Sequence, residues 1–305
     1  MKINVFEKEF KALGTDIYLQ LVSEEFDIHK AERDFLKVVD IYKRQEKLLS
    51  RFDKDSELSK INYNLGKFVQ VSRDIVYLAE KSLEYYDKSR GIFDLRILEK
   101  LEAIGYRRDF RQNKFEENKS FQKKLFDKNL KNDLIIKNNE VKFLKKMDFS
   151  GIAKGYITDR IADFLILQRW DNFLVDSGGD MYAKGKNKNK EKWGIALEES
   201  RNENKTLIEI SDEAVATSGN TRKFWEIDGK KFHHLINPIN SDKFDFDLKS
   251  VTVIAKNTLE ADVMAKVLFL LGIEKGFKFA NKNKIKSIFL KKDKTMVMSN
   301  FITFE

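Results

Sequence analysis

Apolar and polar side chains alternate through residues 3–22 on either side of Ala12-Leu13-Gly14, with β-branched and aromatic residues in both arms. This pattern predicts two strands joined by a tight turn. Beyond it the period changes. From Ile28 through Ala31, Phe35, Val38, Tyr42, Gln45 and Leu49 the marked positions fall three and four apart, which predicts a helix whose inward stripe is broken by Gln45 alone. A second helix is predicted from Arg73 to Lys88, with Ser72 as N-cap and Ile75, Leu78, Ala79, Leu83 and Tyr86 inward. Phe68–Val71 reads as a short strand between the two. The stretch 107–132 is dense in charge without a period and reads as a surface excursion with irregular helix.

Leu134–Ile136 and Val141–Leu144 flank Asn138-Asn139 as a hairpin, and a helix is predicted from Ala153 to Leu167 directly after a glycine-containing turn. Strands follow at Phe173–Asp176, Met181–Ala183, Trp193–Leu197, Leu207–Ile210 and Ala214–Thr217. Phe224–Ile227 and Lys231–Leu235 pair around Asp228-Gly229, whose turn needs positive φ. Val251–Ala255 is an apolar strand, Leu259–Leu271 a buried helix, and Ile285–Leu290 and Thr295–Met298 return to strand. Strands and helices mixed without strict alternation predict an α+β fold. With no internal repeat and no linker, residues 1–305 are expected to form one domain.

Composition narrows the chemistry. A chain of 305 residues with 42% hydrophobic positions and 25 Phe has ample material for a core. Zero cysteines exclude thiol catalysis, cysteine-class zinc sites, iron–sulfur ligation and disulfides. Three histidines leave little room for a histidine-rich metal cluster. No apolar run approaches the ~20 residues of a membrane span; the best candidate, Val263 to Leu271, is interrupted by Lys266. The opening residues show neither a signal-peptide core nor a lipobox cysteine, so a cytoplasmic protein is expected. The formal charge of +9 is spread along the chain as lysine without regular aromatic interleaving. It reads as a solvated surface, with an anionic partner as the alternative, and no nucleic-acid partner is predicted.

Seven of the 14 glycines fall between positions 151 and 219. Three groups, Ser150-Gly151-Ile152-Ala153-Lys154-Gly155, Ser177-Gly178-Gly179-Asp180 and Thr217-Ser218-Gly219, lie at predicted element junctions. There, bare backbone N–H groups and a helix N-terminus can cradle an anion, although each group alone also reads as ordinary turn glycine. Neither a Walker loop nor a dinucleotide fingerprint is present. Asp262 and Lys266, four apart on an otherwise apolar helix, read either as a helix ion pair or as part of a metal or substrate site. His233-His234 precede Pro238, the only proline; His234 is a candidate general base or a structural histidine ending a strand.

Taken in order, eight segments resemble the ApbE family of FAD:protein FMN transferases over nearly the whole chain. They are Ala12-Leu13-Gly14-Thr15; Leu49-Ser50-Arg51-Phe52 with Asp55 to Asn62; Gly91-Ile92-Phe93-Asp94; Asp148 to Tyr156 with Asp159; Ser177 to Asp180; Thr217-Ser218-Gly219; His234 to Pro238; and Ser250 to Val253 before Ala261-Asp262. The resemblance implies that FAD is cleaved at its pyrophosphate, FMN passing to a Thr or Ser hydroxyl of a target protein while AMP leaves. Targets in the family are commonly subunits of membrane redox pumps. A flavin-binding relative without transfer is the alternative.

By the same resemblance, Leu13 and Phe52 line the flavin, and Ile92, Phe93, Asp94 and Ser150 touch the cofactor. Lys154, Gly178, Gly179, Thr217, Ser218 and Gly219 complete its binding site. The Ala153 carbonyl and the Asp262 carboxylate hold Mg²⁺, with position 266 as third ligand. His234 is the base, and Asp262 and Lys266 are catalytic. The sequence departs from the family pattern at Lys266, where a Thr is usual, at Asn237 for Asp, at Ile239-Asn240-Ser241 for a Thr-Gly turn, and at Leu95-Arg96. Arg96 and Lys266 would both add positive charge near the pyrophosphate.

Overall fold

The computed structural model describes residues 2–107, 115–117, 129–197, 207–220, 224–242 and 244–302. In chain order the elements are β1 (Asn4–Ala12), β2 (Thr15–Ser23), α1 (Ile28–Leu49), α2 (Glu57–Tyr63), β3 (Val69–Gln70), α3 (Arg73–Lys88) and α4 (Leu98–Ala103). After a 3₁₀ turn at Leu130–Asn132 come β4 (Leu134–Lys137), β5 (Glu140–Phe143), α5 (Ala153–Leu167), β6 (Asn172–Ser177), β7 (Asp180–Lys184), β8 (Trp193–Ala196) and β9 (Leu207–Ile210). The chain continues through β10 (Glu213–Gly219), β11 (Phe224–Ile227), β12 (Lys230–His233), β13 (Leu248–Ala255), α6 (Thr258–Lys282), β14 (Lys286–Lys291) and β15 (Met296–Met298).

An eight-stranded antiparallel sheet, ordered β1-β2-β6-β7-β10-β13-β14-β15, forms the frame. Strand periodicity divides its side chains between two cores. Ala214, Ala216, Val253 and Phe289 point into the main core with α1, α5 and α6. The intervening Val215, Ile254 and Ile288 pack on the opposite face against Trp193, Ile195, Ile208 and Ile210 of the small β8–β9 sheet. A third cluster, Leu101, Ile104, Trp225, Phe232 and Ile236, joins α4 to the β11–β12 hairpin. The α+β expectation therefore holds. Among the described residues no helix is long and apolar enough to cross a membrane.

Local signals explain the well-predicted elements. The β1–β2 turn places Leu13 at φ 54° and Gly14 at φ 70°, the doubly positive geometry of a tight two-residue hairpin. Asp27, Ser72 and Asn257 cap α1, α3 and α6 through their side chains. Three expectations need correction. Helices α2 and α4 were not among the predicted elements. In the last turns of α3, Ser82 and Tyr85 are buried while Leu83 and Tyr86 are half-buried, the core stripe being rotated by one residue. Finally, the helix expected to stop at Leu271 continues to Lys282 through Gly272, at φ 76° and ψ 176°. There the Asp247 carboxylate accepts the Ile273 N–H at 3.0 Å, a new cap for the second half. Most of the excursion expected at 107–132 lies outside the described residues.

Candidate functional site

Two helices of the main core, α5 and α6, meet at a contact only glycine permits. A Cβ on Gly155 of α5 would lie 2.6 Å from the Thr258 carbonyl and 2.7 Å from Leu259 Cα of α6. One turn further along the same face, Asp159 accepts the Thr258 and Leu259 N–H groups at 2.6 and 2.9 Å, closing the α6 N-terminus. Burial pushes the Asp159 carboxyl up to about 6 despite these bonds. The N-terminus of α5 has no side-chain cap, and its Gly155 N–H is turned to Asp262 Oδ2 at 3.4 Å.

Next to this crossing, Ala153 and Lys154 of α5 and Asp262 and Lys266 of α6 form the floor of a cavity of about 420 Å³, within the size range of small-molecule sites. Its lining draws together the start of β2, the β6–β7 turn, the end of β10 and the residues after β12. All sixteen residues named as cofactor, metal or catalytic candidates contribute: Leu13, Phe52, Ile92, Phe93, Asp94, Ser150, Ala153, Lys154, Gly178, Gly179, Thr217, Ser218, Gly219, His234, Asp262 and Lys266.

Charge on the floor is arranged in pairs. The Lys266 ammonium lies 2.8 Å from Asp262 Oδ1 and also donates to the Gly151 carbonyl at 3.1 Å. The Lys154 ammonium lies 2.5 Å from Asp180 Oδ2. Burial, and next the Asp262 charge, pushes the Asp180 carboxyl up to about 6 against the pull of Lys154. Burial works against the Lys154 charge in turn, but Asp180 and Asp262 more than offset it, so its ammonium is held more firmly than an ordinary lysine's.

The opposite wall is aromatic. Phe52 is 43% exposed, with Tyr106 at a ring separation of 6.0 Å. The Arg51 guanidinium lies 4.3 Å from both ring centres, a cation–π arrangement. Arg51 also donates to the Tyr106 carbonyl at 3.0 Å and pairs with Asp148 at 3.3 Å, while its buried Nη2 has no hydrogen-bond partner. Leu13, at positive φ, is held by its N–H donating to Glu46 Oε1 at 3.1 Å.

The histidine doublet separates into two roles. His233 is buried and its Nδ1 accepts the Leu235 N–H at 3.1 Å; burial pushes its imidazole down to about 4, so it is neutral near pH 7. His234 lines the cavity, its ring 4.4 Å from that of His233. Asn237 anchors the following turn, donating to the Leu270 carbonyl at 3.1 Å and accepting the Ile239 N–H at 2.9 Å.

Arg96 departs from expectation. It is 1% exposed, forms a fork with Asp94 whose shortest bond is 2.6 Å, reaches Asp133 at 2.7 Å, and is not part of the cavity lining. Its charge is absorbed by two carboxylates and is not offered to a ligand.

The ligand set expected to hold Mg²⁺ is incomplete at position 266. Mg²⁺ requires near-octahedral oxygen ligands, whereas an ammonium donates hydrogen bonds and has no lone pair. Lys266 cannot be a ligand, and its ammonium already engages Asp262 Oδ1 and the Gly151 carbonyl.

Sequence reasoning named Arg51 and Asp180 only as motif members. Both line the cavity, and the Ser-Gly-Gly-Asp group already carried the signal for Asp180. Glu46, Tyr106 and the strand residues Ile195 to Leu197 also line it. Nothing in their local pattern distinguished them.

Comparison with known proteins follows the same geometry. The sequence profile of the ApbE family matches residues 13–289. A Klebsiella pneumoniae protein named FAD:protein FMN transferase is 29% identical over 299 residues, covering 94% of this chain and 90% of that one. A Haemophilus influenzae protein of the same name is 26% identical over 287 residues, covering 90% and 83%. The apo crystal structure of the Pseudomonas stutzeri flavinyl transferase ApbE superposes with a TM-score of 0.85 at 24% identity, covering 99% of this chain and 96% of that one. The ApbE protein of Thermotoga maritima gives 0.83 at 23%, covering 97% of each. These two structures share the fold.

Proposed function

Because the chain belongs to the ApbE family, we propose that it is an FAD:protein FMN transferase acting as one unit over residues 1–305. The hydroxyl oxygen of an acceptor Thr or Ser attacks the FMN-side phosphorus of FAD, the P–O bond to AMP breaks, AMP leaves, and the hydroxyl proton passes to His234. The acceptor belongs to another protein, and a redox-pump subunit is the class the family resemblance suggests. Phosphoryl transfer of this kind depends on positioning and charge neutralisation. The observation that carries the reading is the convergence, in one cavity, of an aromatic wall at Phe52 and Tyr106 with a floor of bare backbone at Gly151, Gly178 and Gly179 and of lysines at 154 and 266. The wall suits an isoalloxazine ring and the floor a diphosphate.

Mg²⁺ has no role in this scheme, since Lys266 stands at its third-ligand position and already engages Asp262 Oδ1. Incubation of the protein with FAD and threonine-containing target peptides should release AMP, measured by chromatography, and add the mass of FMN to a peptide. Bound FAD without AMP over a broad peptide panel would indicate a flavin-binding protein without transfer. No bound flavin and no AMP would overturn the reading.

A further inference from the structure

We propose that Lys266 is a built-in counter-cation that takes the place of a divalent ion in this cavity, so that the chain neutralises a bound diphosphate without Mg²⁺. The inference rests on the flavin-transferase reading above and specifies how that site handles charge.

Three observations carry it. The Lys266 ammonium contacts Asp262 Oδ1, one of the oxygens expected to hold a cation, at 2.8 Å, and the Gly151 carbonyl at 3.1 Å. An ammonium has three donors, and these contacts use two, leaving one for a phosphate oxygen. The lysine stem also runs alongside the Gly151 backbone: a Cβ there would lie 3.5 Å from its Cε and 3.6 Å from its Cδ, at ordinary contact distance. Finally, neither floor carboxylate lacks a cation that an ion would have to supply. Asp180 and Asp262 bring two carboxylates, and Lys154 and Lys266 bring two ammoniums, each in direct contact with its partner. During transfer Lys266 neither gains nor loses a proton; it offsets charge as the bond to AMP breaks.

Mn²⁺, whose free form is read by electron paramagnetic resonance, is the probe for an ion site. FAD binding, read by quenching of flavin fluorescence, is the probe for counter-charge. The wild-type protein should leave Mn²⁺ free and should bind FAD equally in EDTA and in Mg²⁺. Lys266→Thr, which replaces the donor by an oxygen ligand, should take up Mn²⁺. In EDTA it should bind FAD about ten- to a hundredfold more weakly, as loss of a hydrogen bond to a charged group implies, and Mg²⁺ should restore the affinity. Lys266→Arg, which keeps the charge, should retain more of the metal-free affinity than Lys266→Thr.

Mn²⁺ uptake by the wild type that is lost in Asp262→Asn would overturn the proposal. So would a folded Lys266→Thr, verified by circular dichroism, that leaves Mn²⁺ free or binds FAD as the wild type does in EDTA. The wild-type measurements need no variant to fold. If the folded protein binds no FAD under any condition, the flavin reading fails, whereas the Mn²⁺ titrations still decide whether Lys266 stands in an ion's place.

Discussion

Beneath the floor of the cavity, main chain meets main chain: α5 and α6, which carry Lys154, Asp262 and Lys266 into it, approach at Gly155 so closely that one added carbon would lie 2.6 Å from a carbonyl oxygen. Across the cavity, the wall is made by rings. Phe52 meets Tyr106 at 6.0 Å, with Arg51 4.3 Å from both ring centres, and behind them Tyr106 meets Trp225 at 5.4 Å and Trp225 stacks on Phe115 at 5.2 Å. Backbone contact leaves few alternatives at each position, so the floor tolerates little substitution. Stacked rings keep part of their contact when one is shortened. The comparison teaches that changes to the floor should register first in folding, and changes to the wall first in ligand affinity.

The largest effect should follow from Asp262→Ala. The Asp262 and Lys266 side chains are 4% and 16% exposed, and removing one partner of a buried pair leaves the other charge uncompensated. A loss of about 3–5 kcal/mol is expected in a denaturant melt. Asp262→Ala combined with Lys266→Met should recover much of that loss, since the stranded charge is then absent. A double variant no more stable than Asp262→Ala alone would show that packing, and not charge pairing, governs the floor.

Gly155→Ala comes next and tests the sign of a common rule. In an exposed helix interior, alanine is favoured over glycine by about 1 kcal/mol. Here the new methyl would press on the backbone of Thr258 and Leu259, which cannot rotate away. A net destabilisation of about 1–3 kcal/mol is expected from overpacking. A stabilised variant would mean that the two helices can separate and that the floor is less fixed than its geometry indicates.

The same contrast decides what could be read from the sequence. Helix α5 was legible to its end residues, and so was the Leu13-Gly14 turn, because their signals are local: apolar spacing and a glycine-containing turn. The glycine groups of the floor were legible for the same reason, and their order along the chain carried the family resemblance. The wall was not. Tyr106, Phe115 and Trp225 come from separated segments and acquire meaning only when stacked. Helix α6 appeared to end at Gly272 because the cap that restarts it, Asp247, arrives from 26 residues away. Arg96 was read as a ligand-facing charge because one of its partners, Asp133, lies 37 residues along the chain.

Phe52→Ala should therefore behave unlike either floor variant. The ring is 43% exposed, so the melt should move little. Its loss should weaken FAD binding by about 0.5–1.5 kcal/mol, the usual contribution of an aromatic pair beyond buried area. A large fall in stability with unchanged FAD affinity would place Phe52 in the fold and not in the flavin site.

The smallest effect separates the cavity from the protein around it. Asp159 and Asp180 have carboxyls raised from 3.8 to about 6, so acidification from pH 6 towards 4 protonates the folded state first and adds stability. His233 is lowered from 6.5 to about 4, so over the same interval the unfolded state takes the proton first and stability is lost. These contributions oppose one another, and the melt is a blunt readout. FAD affinity is sharper, because Asp180 lines the cavity whereas Asp159 and His233 do not. Neutralising Asp180 removes a negative charge beside the phosphates, so FAD should bind more tightly as pH falls through 6. Lys154 at 2.5 Å already offsets much of that charge, so a change of about two- to threefold is expected, below the tenfold that a full pKa unit represents. Measured in a His234→Gln background, where the neighbouring imidazole plays no part, the dependence should vanish in Asp180→Asn. If it persists there, the titrating group lies elsewhere and Asp180 is not coupled to the bound phosphates.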